Sequence, residues 1–235
     1  MLQTPIRYKL PRGSSSLPKE VVEAEQKKRL VKATAAVVAA KGYASTSVAD
    51  IIAAAGVSRA TFYSFFSNKE ECFLFGYRKL SNAHVGEAER VIKTDQPLPE
   101  RLRSALSTYL RRIDADQELA VAFVAEVEGA TVRCRRAVLR VQNRMLQILQ
   151  SWLEEVYEAH PEVARSSPEN LILVSSGLHG FVIRQVRSGK SFDAPQVDII
   201  LRFLFAALHL YTWAHQADQE IIEAGKVCNN PLKSC

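Results

Sequence analysis

The chain has 235 residues, 47% of them hydrophobic and 24% charged, and its 31 basic and 25 acidic residues give a formal net charge of +6. The apolar fraction is that of an ordinary globular protein, which excludes a mostly disordered or fibrous chain. Four scattered cysteines, none of them in C-x-x-C spacing, argue against a disulfide scaffold and a zinc knuckle.

The positive charge is concentrated at the front of the chain. Residues 1–41 hold nine Lys or Arg against three Glu, a net charge of +6, whereas residues 42–93 hold six basic and five acidic residues and net +1. A basic segment of this kind favours contact with nucleic acid or another anionic surface. A solvated basic arm without such a contact would have the same composition.

Residues 1–19 contain three prolines, a run of three serines and no apolar period, which predicts a flexible basic arm. They lack the apolar centre of a signal peptide. The most apolar window, 201–213, is shorter than the roughly 20 residues of a membrane-spanning helix. We therefore expect a cytoplasmic protein without a membrane partner.

Helical periodicity and cap residues divide the front of the chain into four helices. Gly42 is placed to end the first helix in the left-handed conformation, and the second stops at Gly56. Ser47, three residues ahead of Asp50, and Ser58 are placed to cap helix starts. The predicted helices cover 20–41, 48–55, 58–66 and a longer stretch from Asn68.

Beyond Lys93, prolines and glycines divide the chain into further helices, and no stretch alternates apolar and polar residues as a strand does. Gly129 is expected to separate two of these helices, and Pro195 to open the last. They are predicted at 100–114, 116–128, 131–159, 169–188 and 195–218. The sequence therefore predicts an all-α fold, which consists of an arm (1–19), a three-helix domain (20–67), a larger helical domain (68–218) and a tail (219–235).

The short helices at 48–55 and 58–66 have the pattern of a helix-turn-helix. At about 100° per residue, Phe62 and Phe66 share the face of the second helix that the other helices can bury. The opposite face carries small or hydrogen-bonding side chains, as a helix in a major groove requires. These are Ala60, Thr61, Tyr63 and Ser64. A compact three-helix core unrelated to DNA has similar spacing.

The stretch 46–71 closely resembles the DNA-binding signature of the TetR family of transcriptional regulators. The Ala-Gly-Val-Ser turn at 55–58, the Thr-x-Tyr-x-x-Phe pattern at 61–66 and the Lys-Glu pair that follows agree with it in order and spacing. Two positions depart from the pattern: Ile52, where the family usually has Ala, and Cys72, at a usual Leu position. The rest of the chain matches only in helix pattern and length.

The resemblance implies a homodimer that places the helix 58–66 of each subunit in successive major grooves of a near-palindromic operator in double-stranded DNA. It implies a repressor that a small-molecule effector releases, and the apolar candidates for the effector pocket favour a lipophilic effector. Arg59 is the candidate for base readout, and Tyr63 and Lys69 are candidates for phosphate contact. The implied DNA contacts are Thr46, Ser47, Arg59, Thr61, Tyr63, Ser64 and Lys69.

By the same resemblance, the helices at 169–188 and 195–218 pair with their copies in the dimer. Each carries an apolar stripe, which equally suits a helix that closes a monomeric core. The stripes are Leu171, Val174, Leu178, Phe181, Val182 and Val186, and Val197, Ile200, Leu201, Leu204, Leu208 and Tyr211.

An effector pocket is expected among the helices near 100–114, 116–128 and 131–159, with help from 169–188. Apolar positions at helical spacing are also expected in any bundle core, so each candidate fits both roles. The candidate lining residues are Tyr109, Phe123, Val127, Met145, Leu149 and Trp152.

The sequence contains no constellation of catalytic residues, since it has neither a glycine-rich phosphate loop nor a G-x-S-x-G elbow, and its five histidines show no H-x-x-x-H spacing. We expect no enzyme activity, cofactor or metal site.

Cys228 and Cys235 are expected on the tail as free thiols, or as a labile bridge. Two alternatives remain. The first is a DNA-binding protein without a small-molecule effector. The second is a helical enzyme or binding module whose N-terminal three-helix domain does not bind DNA.

Overall fold

The structure is a computed structural model that describes residues 18–210 and 213. Within these residues the fold is all-α, as predicted, and contains no strand. The elements are α1 (Lys19–Lys41), α2 (Val48–Ala55), α3 (Arg59–Phe65), α4 (Lys69–Ile92), α5 (Leu98–Asp114), α6 (Gln117–Ala120), a π-helical segment (Val121–Ala125), α7 (Val127–Ala130), α8 (Val132–Ala159), α9 (Pro168–Arg187) and α10 (Ala194–Ala207). The predictions for the arm before Pro18, for the tail 219–235 and for Cys228 and Cys235 lie outside the described residues.

The chain divides into two compact units, of which the first comprises residues 18–85, Arg112–Val141 and Val182–Ser191. Two clusters of buried side chains form its core, and α1 and α4 contribute to both. The three-helix cluster consists of Leu30, Ala33, Ile51, Ala55, Phe62, Phe66 and Cys72. The π cluster consists of Ala35, Val38, Tyr43, Phe73, Leu74, Tyr77, Ala122, Phe123, Val127, Cys134, Ala137 and Val138.

The second unit comprises Gly86–Arg111, Gln142–Phe181 and the described residues from Phe192 onward. Apolar side chains of α5, α8, α9 and α10 are buried in it, and polar contacts join the helices. The Trp152 indole N–H donates to the carbonyl of Leu98 over 3.0 Å. The Asn170 amide donates to the carbonyl of Ala207 over 2.6 Å. The buried apolar residues include Leu102, Leu106, Leu110, Trp152, Leu153, Val156, Leu171, Val174, Ile200, Leu201 and Leu204.

The region predicted as one helix over 116–128 is helical from Gln117 to Ala130 but contains the π-helical segment Val121–Ala125, and Gly129 does not end it. The Glu126 N–H donates to the carbonyl of Val121 over 3.0 Å, which inserts a π turn. Gly129 lies inside α7, and the break falls at Thr131, whose φ is −153°. The Thr131 hydroxyl accepts the N–H of Cys134 over 3.1 Å, so a hydroxyl cap rather than a glycine separates the two helices.

The prediction of one continuous last helix through 218 is wrong at residues 208–210. Helix α10 ends at Ala207, His209 adopts a φ of 61°, and the Leu210 N–H turns back to the carbonyl of Phe205 over 2.7 Å. A continued helix would set Leu208 and Leu210 about 200° apart, with one of them toward solvent. The turn instead buries both leucines.

Among residues 18–210 and 213, no helix combines the length and the hydropathy that crossing a bilayer requires. The same residues bring no three His, Cys, Asp or Glu side chains together around a metal-sized space. Cys72 and Cys134 are buried free thiols, and burial raises the pKa of Cys72 to about 11. Neither thiol is therefore placed as a reactive thiolate.

Candidate nucleic-acid interface

Helix α3 is held through one face, as the sequence predicted. Phe62 is 0% exposed and Phe66 is also buried, with 5.9 Å between their ring centroids. Both belong to the three-helix cluster, together with Ile51 of α2 and Leu30 of α1. Phe62 on α3 and Phe66, the residue directly after α3, therefore fix one side of this helix against the core, and the opposite side is left uncovered.

The opposite face of α3 points to solvent. Arg59, Ala60 and Ser64 are exposed, and Tyr63 is 45% exposed. The Arg59 guanidinium lies 5.5 Å from the centre of the Tyr63 ring, a cation–π contact that holds the two longest side chains of this face together. The surface thus offers a cation, a phenol and a hydroxyl on one short helix.

Two hydroxyl caps set the starts of α2 and α3, also as predicted. The Ser47 hydroxyl accepts the Asp50 N–H over 3.2 Å, and the Asp50 carboxylate accepts the Ser47 N–H over 2.8 Å, which completes a capping box. The Ser58 hydroxyl accepts the Thr61 N–H over 3.0 Å and lies 2.9 Å from the Thr61 hydroxyl. Hydrogen bonds from Lys41 and then Ser47 hold the pKa of Asp50 well below its usual range.

Glycines end the first two helices with positive φ, which L residues adopt only with strain. Gly42 has a φ of 80° after α1, and Gly56 has a φ of 61° in the turn between α2 and α3. The turn of the helix-turn-helix is therefore made by the residue that the sequence predicted.

Thr46 and Lys69 are placed differently from the other five candidate DNA contacts. Thr46 is 3% exposed, and its hydroxyl donates to the carbonyl of Gly42 over 2.8 Å. The Lys69 ammonium donates to main-chain carbonyls of the turn before α2. The structure brings Arg59, Tyr63 and Ser64 together on one exposed face, with Ser47 and Thr61 at helix starts, and turns the polar groups of Thr46 and Lys69 inward.

This helix-turn-helix matches a known family. Residues 30–74 match the family model described as bacterial regulatory proteins, tetR family. Residues 30–74 of this chain are therefore a helix-turn-helix domain of the tetR type.

The curated proteins that this chain resembles are also regulators. It is 25% identical over 127 residues to the fatty acid metabolism regulator protein of Bacillus subtilis, and the match spans 54% of this chain and 66% of that protein. It is 24% identical over 131 residues to the uncharacterized HTH-type transcriptional regulator YhgD of the same organism, across 56% of this chain and 69% of that protein. These relatives are regulators rather than enzymes, which agrees with the expectation from the sequence.

Solved structures share the tetR-family fold over more of the chain. The fatty acid degradation regulator FadR of Bacillus halodurans has a TM-score of 0.65 at 21% identity, over 76% of this chain and 94% of that one. FadR of Bacillus subtilis, solved in complex with stearoyl-CoA, has a TM-score of 0.65 at 21% identity, over 77% of this chain and 99% of that one. The predicted fold class is therefore confirmed: an N-terminal helix-turn-helix followed by a helical C-terminal domain.

Arg29, which no sequence motif marks, supports the turn between α2 and α3. Its guanidinium donates to the carbonyls of Ala55 and Gly56 over 2.6 and 3.2 Å. A cation at a helix C-terminus satisfies carbonyls that lack a helical partner and interacts favourably with the helix dipole. The only sequence signal was a basic residue on the first helix, which many solvated faces also show.

Replacing Arg29 with alanine is expected to lower the free energy of unfolding by about 1–2 kcal/mol, because the part-buried contact to Ala55 and the exposed contact to Gly56 both lose their charged donor. Urea unfolding followed by circular dichroism measures this change. Lys28→Ala is the matched control: the Lys28 side chain is 72% exposed and reaches Glu25 only at 3.9 Å, so a change below about 0.5 kcal/mol is expected. Equal effects of the two substitutions would contradict a role for Arg29 in the turn.

The six candidate pocket residues divide between the two units. Phe123 and Val127 lie in the π cluster of the first unit. The second unit contains Trp152, which is buried, and three half-buried residues. These are Tyr109, Met145 and Leu149. Burial raises the pKa of Tyr109 to about 12, so this phenol stays neutral and can act as a hydrogen-bond donor.

Proposed function

We propose that this chain is a dimeric repressor of the tetR family that binds a near-palindromic operator through α3 and leaves it when a lipophilic small molecule binds. The observation that supports it most is the exposed face of α3, where Arg59, Tyr63 and Ser64 stand opposite the buried Phe62. Arg59 is proposed to contact base edges and Tyr63 a phosphate. Ser47 and Thr61, at the starts of α2 and α3, are proposed to contact the backbone nearby.

A second copy of the chain is the proposed partner of α9 and α10. The apolar stripes predicted on these helices are mostly buried within the chain itself, at Leu171, Val174, Ile200 and Leu204 for example. Other large apolar side chains of the second unit remain exposed, including Leu173, which is 70% exposed. They are Ile172, Leu173, Phe181, Ile199 and Phe203. An exposed apolar face of this kind is typical of a protein interface.

The same face has glycines that let a partner helix approach. Gly177 and Gly180 are exposed between Leu173 and Phe181 on α9. A Cβ at Gly180 would meet nothing within 4 Å, and one at Gly177 would reach only the Phe203 ring at 3.9 Å. Small residues beside apolar side chains support close packing of α9 against a copy of itself.

The proposed effector is a long-chain acyl-CoA. The support is that the curated relative is named a fatty acid metabolism regulator, and that one structure of the same fold holds stearoyl-CoA. The half-buried Met145 and Leu149 and the buried Trp152 of the second unit supply the apolar surface that an acyl chain requires.

The test of DNA binding is a selection from a genomic or randomised library at about 150 mM salt, with wild type beside Arg59→Ala and Tyr63→Ala. A recovered palindromic site that both variants lose would support the proposal. Enrichment of no sequence, or equal enrichment by the variants, would reject α3 as the helix that contacts bases.

The dimer and the effector are tested with the recovered site. Leu173→Glu is expected to shift the mass in solution from dimer to monomer in sedimentation and to weaken operator binding. Stearoyl-CoA is expected to release the operator in a fluorescence anisotropy titration, whereas coenzyme A alone is not. An operator complex that no acyl-CoA changes would favour the alternative, a DNA-binding protein without a small-molecule effector.

A further inference from the structure

We propose that Lys69 is a positioning residue that closes the helix-turn-helix segment from inside and does not contact DNA phosphate. The inference rests on the proposed function because it takes α2 and α3 as the DNA-binding segment. It assigns to Lys69 the role of holding this segment in place. It departs from the role that the resemblance to the family implied for this lysine.

The Lys69 ammonium is fully engaged by the protein. Its Nζ atom lies 2.9 Å from the carbonyl oxygen of Tyr43, 3.3 Å from that of Ala44 and 2.7 Å from that of Thr46. It also lies 4.5 Å from the centre of the Tyr43 ring. An ammonium has three N–H donors, and here three carbonyl oxygens surround it. A phosphate could bind this nitrogen only by displacing a carbonyl partner.

The turn that Lys69 holds is itself anchored in the core of the first unit. Tyr43 is buried, and its ring lies 4.9 Å from that of Phe73. The Thr46 hydroxyl donates to the carbonyl of Gly42, and the Thr46 N–H donates to the carbonyl of Tyr43 over 3.2 Å. The turn 43–46 therefore has a defined backbone that presents three carbonyls toward one point.

The contacts of Lys69 join two parts of the chain that flank α2 and α3. The turn 43–46 directly precedes Ser47, the cap of α2, and Lys69 is the first residue of α4, shortly after α3 ends. The contact between Lys69 and Thr46 thus joins the two ends of the segment that contains α2 and α3. Removing it frees both ends of that segment, whereas the aromatic face of α3 stays in the three-helix cluster.

The two roles predict different salt dependence. A lysine that neutralises one phosphate contributes about 0.9 to the slope of log affinity against log salt concentration, because binding releases its counterion. A lysine that only positions the segment contributes nothing to this slope, although its loss weakens binding. Lys69→Met is therefore expected to weaken operator binding about tenfold or more with the slope unchanged.

The experiment measures operator binding by anisotropy between about 50 and 200 mM salt, the range over which phosphate contacts change the affinity. It compares wild type with Lys69→Met, Lys69→Arg and two controls. Arg59→Met, which removes the exposed cation proposed to contact base edges, is expected to weaken binding to the selected site more than binding to unrelated DNA. Lys93→Met, in the second unit, is expected to leave the slope and the affinity unchanged. Lys69→Arg keeps the charge, but a planar guanidinium cannot aim three donors at three converging carbonyls. It is therefore expected not to restore wild-type affinity.

Hydrogen exchange in the free protein tests the same inference without DNA. The amides of α2 are expected to exchange about tenfold faster or more in Lys69→Met than in wild type, while those of α8 are unchanged.

A slope that falls by about 0.9, an unchanged affinity, wild-type affinity in Lys69→Arg, or unchanged exchange in α2 would each overturn the inference. If Lys69→Met does not fold, Lys69→Arg decides between the two roles. Failure of wild type to bind any selected DNA would reject the proposed function, and the exchange comparison would still decide the role of Lys69 in the turn.

Discussion

Phe62→Ala is expected to lower the free energy of unfolding of the first unit by about 3–5 kcal/mol. The ring is completely buried and lies in the three-helix cluster with Phe66 and Ile51, so its removal leaves a cavity among apolar side chains. A small domain has a total stability of about 5–15 kcal/mol, so this loss removes a large part of it. Urea unfolding followed by circular dichroism measures the effect, and operator binding falls with the folded fraction.

The neighbouring residue provides the matched control. Tyr63 is 45% exposed, and its ring is nearly perpendicular to that of Phe62, with the centroids 5.3 Å apart. Tyr63→Ala is expected to change the free energy of unfolding by less than about 1 kcal/mol and still to weaken operator binding. Similar unfolding curves for the two variants would mean that α3 is not held through its Phe62 face. Undiminished operator binding by Tyr63→Ala would mean that its opposite face does not contact DNA.

These expectations rest on features that the sequence predicts well, because their physical cause is local. Ser47 caps α2 with Asp50, three residues away, and Gly56 supplies the positive φ of the turn. Phe62 and Phe66 are buried together because they share one face at the helical period. Each of these signals lies within a few residues, so the order of the first four helices and, to within one residue, the bounds of the first three follow from the sequence.

The contacts that hold the candidate DNA-binding surface could not be predicted in the same way. Lys69 reaches the carbonyl of Thr46, 23 residues earlier, and Arg29 reaches that of Ala55, 26 residues later. No periodicity marks such a pair, because the partner is a backbone oxygen that every residue carries. The sequence therefore marked Lys69 as a cation near DNA, whereas in the structure its ammonium donates to main-chain carbonyls of the turn before α2.

The helices of the C-terminal part show a different limit. Helix α9 is apolar on more than one side, so periodicity identified a stripe but not which side the chain itself covers. Leu171 and Val174 proved to be buried, and Ile172 and Leu173 exposed. The π turn at 121–125 is a second example, since one additional residue within a helix leaves the apolar pattern nearly unchanged.

The π cluster gives the second large prediction, at Gly76 of α4. A Cβ at this position would lie 2.6 Å from Cζ of Phe123 and 2.8 Å from Cγ1 of Val31, closer than carbon atoms approach without displacement. Phe123 is buried and its ring lies 5.1 Å from that of Phe73, so it cannot move aside freely. Gly76→Val is expected to lower the free energy of unfolding by about 3 kcal/mol, because overpacking outweighs the small gain in helix propensity.

The same helix contains the control that separates packing from propensity. At Gly86 a Cβ would meet only the Arg144 guanidinium, at 3.8 Å. Gly86→Ala is therefore expected to raise stability by up to about 1 kcal/mol, the usual gain from alanine in a helix. Gly76→Ala makes the same chemical change, and it is expected to lower stability because the added methyl group meets the Phe123 ring.

A double-mutant cycle with Phe123→Leu then tests whether the ring is the cause. Leucine removes the Cζ atom that a Cβ at Gly76 would meet, so Gly76→Ala is expected to cost less in the Phe123→Leu background than in wild type. The coupling is expected to lie between about 0.5 and 3 kcal/mol, the range for residues in contact. Additive effects would place the strain at Val31 instead. A stabilising Gly76→Ala in wild type would mean that the π-helical segment shifts to accommodate the added methyl group. Gly76 would then not fix Phe123 against α4.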